Sequence, residues 1–154
     1  MSLRDQLIHT TKFFQQAHID KKVTGENSIT SLTTPDFIAR TFPSSLKAPV
    51  QNQAEYVHFT EWSFTLFDRY HATEGDMVVD EAKRMVVSYM DADAEGPAGM
   101  YNNEHVQKIK LTDDGKQVKG FDLFMDGQAM MEWMGKLKAK GIEVGKKNWI
   151  EETS

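Results

Sequence analysis

Tyr101, Asn103 and His105 recur at every second residue of GPAGMYNNEHVQ, which places a phenol, an amide and an imidazole on one side of a strand. Groups of that kind can bind a carbonyl oxygen and move a proton. His105 suits the proton best: an unperturbed imidazole titrates near pH ~6.5, and partial burial keeps it neutral and basic. Tyr101 would then donate to the oxygen that gains charge.

The residues just before them offer a different chemistry. Asp91, Asp93, Glu95 and Gly96 fall at positions one, three, five and six of a calcium-binding loop. Such a loop needs a bidentate glutamate at position twelve, which is Asn102 here, and a helix on each side. Before Asp91 stands MVVSYM, rich in β formers, and the residues after Asn103 alternate like a strand. A glycine-rich connection between two strands is expected, and no metal site.

Strand parity decides which side chains share a face. Over 103–111, Glu104, Lys108 and Lys110 belong in water, so Asn103, His105, Gln107, Ile109 and Leu111 face inward. Over 117–125 the same rule brings Phe121, Leu123 and Met125 into that cavity. It turns Asp122 away unless a bulge near Gly120 re-aims it. Val106, Val118 and Phe124 are left on the outer face, where apolar side chains need cover.

Three further positions carry alternatives. Arg40 stands among Phe37, Ile38 and Phe42, so it either lines a polar site as an electrostatic anchor or pairs on a rim, since a lone buried charge is costly. Asp126 is an acid–base group or the N-cap of a last helix. Phe59, Trp62 and Leu66 either wall the cavity or fill the core.

The elements that must hold these residues follow from period and punctuation. Ser2 caps a helix over 3–18, in which Leu3, Leu7, Thr11, Phe14 and His18 form one stripe. Pro35, Pro43 and Pro49 exclude a long helix in the next segment and leave room for a short strand near 37–42. Asn52 caps a second helix over 53–70 with Tyr56, Phe59, Leu66 and Tyr70 on its apolar face. The period then changes to two, with strands near 76–81 and 84–92. NEHVQKIKL and QVKGFDLFM are two more, joined by TDDGK, a hairpin signal. A last helix with Met130, Trp133, Met134 and Leu137 buried ends at Gly141. The order predicts an α+β domain over 1–141 with a mainly antiparallel sheet, and a C-terminal extension over 142–154.

Composition narrows the partners. A net charge of -5 argues against nucleic acid, and the absence of cysteine removes disulfides, thiolate nucleophiles and Cys-based metal sites. No apolar run has the length of a signal peptide or a membrane span, so a soluble cytoplasmic protein is the default. There is no glycine-rich phosphate loop, and His9, His18, His58, His71 and His105 lack zinc spacing, so no cofactor is expected.

The stretches GMYNNEHVQKIKLTDDGKQVKGFDLFMDGQ and TPDFIARTFPSSLKAPVQNQAEY resemble SnoaL-like proteins of the nuclear transport factor 2-like superfamily, nearest to the branch found in fungal secondary metabolism. The resemblance spans roughly residues 3 to 138. It implies a curved-sheet cone closed by helices around a pocket, a homodimer through the outer sheet face, and cofactor-free cyclisation, isomerisation or dehydration of small carbon skeletons. It also puts Tyr101 at a pocket tyrosine, His105 where relatives carry another, and Leu123 where relatives carry a glutamate. With that glutamate gone, His105, Asp122 or Asp126 would supply the acid or base, and Arg40 with Tyr101 would hold the oxyanion. The expected activity is a cofactor-independent isomerase or cyclase for a small polyketide, terpenoid or alkaloid-type intermediate. The alternative is a non-catalytic binding or assembly module of the same fold.

Overall fold

In the computed structural model, which describes residues 1–144, Ser2 opens the first helix by accepting the Asp5 N–H on its hydroxyl. This helix, α1, runs Leu3–Ile19 and buries Leu7, Thr11 and Phe14 at helical spacing. A short α2 (Ile29–Leu32), β1 (Thr33–Phe42), a 3-10 turn at Ser44–Leu46 and β2 (Gln51–Asn52) lead to α3 (Gln53–Phe64). Asn52 and Glu55 close a capping box at its start. β3 (Arg69–Asp80), β4 (Met85–Gly96), β5 (Gly99–Leu111), β6 (Val118–Met125) and α4 (Gly127–Ala139) complete the described chain.

All six strands form one curved sheet in the order β2-β1-β6-β5-β4-β3, antiparallel except where β1 pairs with β6. The class is α+β, as the pattern of periods predicts. α1 packs on the concave face, where Phe14 meets Phe121 edge-on at 5.2 Å between ring centres. Leu7, Phe37, Val86 and Ile109 are fully buried in the core there. No described helix is long and apolar enough to cross a membrane.

Four elements differ from the sequence expectation, each for a local reason. The second helix stops at Phe64 instead of 70, because Lys21 Nζ takes the carbonyls of Phe64 and Phe67 and the Asp68 N–H bonds Glu95. Tyr70 therefore belongs to β3. The glycine-rich stretch is no long connection: Gly96 pairs with Gly99 across a tight turn, with Asp91, Asp93 and Glu95 outside and Ala92 and Ala94 buried. The first strand starts at Thr33 and accommodates exposed Pro35 where its register shifts between Thr33 and Ile38. Finally, a register shift between Lys110 and Leu111 turns Val118 inward, fully buried, so it leaves the outer face. The extension expected over 142–154 lies mostly outside the described residues.

Candidate active site

The curved sheet, α3 and α4 enclose a cavity of about 580 Å³, a size that suits a compact ligand. Phe121, Leu123 and Met125 of β6 form one wall. Phe59, Trp62 and Leu66 contribute another, and Met130, Trp133, Met134 and Leu137 present a single helical face of α4. The surface is overwhelmingly apolar and aromatic. No Asp or Glu lines it among the described residues.

His18 supplies the first polar group, from the last turn of α1. Its Nδ1 lies 2.7 Å from the Phe14 carbonyl and its Nε2 lies 2.6 Å from the Tyr56 hydroxyl. A carbonyl only accepts, so Nδ1 carries the proton, Nε2 is the acceptor, and Tyr56 donates to it. Burial lowers the His18 pKa to about 4, and the nearby His105 pushes the same way, so the imidazole is neutral at pH 7. Burial raises the Tyr56 pKa, which keeps the phenol protonated.

Two further phenols come from the sheet. Tyr70 in β3 and Tyr101 in β5 both pair with Ala94 of β4, so they share one face two strands apart. Phe67 touches both rings at 5.8 Å and stacks on Trp133 at 5.3 Å. Burial raises the pKa of both tyrosines, so both are hydrogen-bond donors at neutral pH.

Of the residues singled out from sequence, Tyr101, Phe59, Trp62, Leu66, Phe121, Leu123 and Met125 line the cavity together. His105 does not. It faces inward as parity predicts, but in the layer covered by α1. There Gln107 Nε2 donates to its Nε2 at 3.3 Å, Gln15 donates to Gln107 at 3.0 Å, and Gln15 also donates to Ser88. Gln107 is thus committed to the same chain. Asn103 accepts the Asp126 N–H and donates to its carbonyl, tying β5 to α4, and Asp126 caps that helix through Gln128 and Ala129. Both are structural joints.

Arg40 also needs correction. It borders the cavity by its place on β1, yet its guanidinium forks onto Asp122 at 2.8 and 2.7 Å on the outer face, where Lys108 lies 3.3 Å from the same carboxylate. The parity of β1 explains it. Phe37 and Ala39 are buried, so Ile38 and Arg40 must point out. Asp122 faces outward with them, as its own strand parity predicts.

Sequence reasoning passed over His18, Tyr56 and Tyr70. The signal for His18 was its position four residues after Phe14 on the apolar stripe of α1, an ionisable group aimed into the core. Tyr70 was hidden by extending the helix too far.

No protein-family model matches the chain. Isomerase prhC of Penicillium brasilianum is 31% identical over 118 residues, covering 72% of this chain and 65% of its own length, so the match falls short of that protein's full extent. Austinoid biosynthesis clusters protein H of the same fungus is 28% identical over 142 residues, 88% of this chain and 93% of its own. Among solved structures, PrhC from P. brasilianum superposes with a TM-score of 0.86 at 24% identity, covering 96% of this chain and 98% of that one. A SnoaL-like polyketide cyclase from Jannaschia sp. CCS1 gives 0.69 at 17% identity, over 85% and 92%. The chain has the SnoaL-like fold of the nuclear transport factor 2-like superfamily and resembles its branch in fungal secondary metabolism.

Proposed function

We propose that the chain is a cofactor-independent isomerase or cyclase acting on a small natural-product intermediate inside the cone. The observation that carries this is the His18–Tyr56 hydrogen bond of 2.6 Å in a cavity lined by no carboxylate among the described residues. Tyr56 can take an acidic C–H or O–H proton from the substrate as its own proton moves to His18 Nε2. That step leaves a substrate anion beside an imidazolium. Return of the proton to a different atom gives an isomer; return after C–C or C–O bond formation gives a ring. The aromatic walls fix how the carbon skeleton is folded before the bond forms. The name of the relative prhC, an isomerase, supports this class of reaction.

A binding module of the same fold is the rival, favoured by Leu123 at the place of a family glutamate. Incubating the protein with candidate intermediates and following their masses and retention times separates the two. Conversion to an isomer or ring product supports the enzyme, and binding without conversion supports the module.

The working unit is proposed to be a homodimer. Phe42, Phe124, Val106 and Tyr89 are neighbours across four strands on the outer face, with Phe124 and Tyr89 54% and 53% exposed. A second copy would cover this row.

A further inference from the structure

We infer that Tyr70 and Tyr101 form a two-phenol cradle for an oxygen that becomes negative, so that the cavity selects apolar ligands bearing an enolisable ketone or phenolic oxygen and holds them as the oxyanion. The inference deepens the proposed function by naming the group that the substrate presents to the site. Geometry comes first. The two tyrosines flank Ala94, which is fully buried and puts only a methyl group between them. Two strand spacings separate their Cα atoms by roughly 10 Å, and on a concave face the side chains converge from there.

The pair is held from behind. Phe67 contacts both rings, and its segment is clamped by Lys21 on the Phe67 carbonyl at 2.6 Å and by the Asp68 N–H on Glu95. Gly96 is required for that clamp, because a Cβ there would lie 2.0 Å from the Leu66 carbonyl oxygen. Tyr101 also lies 5.4 Å from Trp133 between ring centres, so α4 holds its ring from the other side. The clamp fixes donors, and it fixes them before any ligand arrives.

The distribution of charge points the same way. An oxyanion in this cavity meets no carboxylate among the described residues, while Arg40 is committed to Asp122 outside and Lys21 to backbone carbonyls. Lys47 lines the cavity from the 3-10 turn after β1, so the donors that β3 and β5 themselves present are the neutral phenols. His18, protonating only near pH 4, is a weak base, so proton removal needs the product anion to be well stabilised. Two effects compete for a bound phenolic ligand: apolar walls raise its pKa, and donors aimed at the anion lower it.

The test uses a hydroxycoumarin whose absorbance reports its ionisation, titrated against pH free and bound. The bound probe should ionise at lower pH than the free probe, by about one unit or more, because hydrogen bonds to the charged form favour it. Tyr70→Phe and Tyr101→Phe should each move the transition back toward higher pH, with thermal unfolding unchanged, while Tyr89→Phe on the outer face should not. A bound probe that ionises at higher pH than the free one, no binding at all, or a shift indifferent to both substitutions would overturn the inference. If the shift persists while no candidate intermediate is turned over, the oxyanion cradle stands and the isomerase reading fails by itself.

Discussion

On the outer face of the sheet, Asp122 takes both nitrogens of Arg40 with Lys108 beside it, and Arg69 bonds Asp93 at 3.2 Å with Glu95 nearby. On the inner side, His18, Tyr56, Tyr70 and Tyr101 line the cavity and are all neutral at pH 7, while Lys47 reaches its lining from the turn after β1. The same six strands thus keep formal charge in water, where pairing is easy and adds little, and place uncharged donors and acceptors where water is scarce. A wall built from these neutral groups has no ion of its own to desolvate. Charge then appears during the reaction, beside groups already oriented to receive it.

The sharpest way to break this comparison is to substitute one side at a time. Tyr56→Phe removes the O–H that bridges to His18 and should lower turnover by roughly 10²-fold, the usual scale for a lost proton-transfer group. Arg40→Lys, on the outer face, should leave turnover within about twofold even though the bidentate fork is lost. A crippled Arg40→Lys would mean the guanidinium reaches the substrate after all.

Gly96→Ala comes next. Its Cβ would meet the Leu66 carbonyl at 2.0 Å, so the 66–68 segment must shift, costing roughly 1–3 kcal/mol in denaturant unfolding. The tyrosine pair should be disturbed with it. A fully stable variant would show that the segment yields easily.

The pH dependence of stability sharpens the inner half. An unfolded imidazole takes a proton near pH ~6.5, whereas the folded His18 resists until about 4. The unfolded chain therefore binds more protons in that window. Stability should be full above pH ~6.5 and fall as pH drops toward 4, at up to about 1.4 kcal/mol per pH unit. His18→Gln should flatten that slope.

On the outer half, Phe124→Asp should weaken self-association about tenfold or more in sedimentation, since it puts an unpaired charge in the centre of the apolar row. The smallest effect is expected for Asp122→Asn. Its partners Arg40 and Lys108 are about half exposed, and such pairs contribute no more than about 1 kcal/mol.

Much of this was legible from residues alone. The capping residues Ser2, Asn52 and Asp126 and the parity of β5 and of β6 from Phe121 onward are local signals, and the structure keeps them, whereas the change to strand period comes at Arg69, earlier than expected. Phe121, Leu123, Met125 and Tyr101 reach the cavity because alternation within a strand depends on nothing distant. His105 shows where such reasoning ends. Parity gave its face correctly, but α1 covers that part of the face, and which helix covers which rows is a tertiary fact. Arg40 failed differently: β1 alternates as plainly as β6, yet its apolar neighbours on both sides concealed the alternation. Val118 was misplaced by a bulge, which has no strong signature in KLTDDGKQV.

The measurement that bears most directly on the account compares the two histidines. His18→Ala and His105→Ala are each assayed for conversion of an accepted intermediate and for thermal unfolding. His18→Ala should lose turnover by roughly 10²-fold or more, with some stability lost as well, because its ring packs on Phe14, Tyr56 and Phe121 and its bonds to Phe14 and Tyr56 go with it. His105→Ala should keep most of its turnover and lose about 1 kcal/mol of stability, because the half-buried Gln107 amide loses its acceptor. The opposite pattern, with turnover lost at His105 and retained at His18, would contradict the assignment of the proton transfer to the His18–Tyr56 pair.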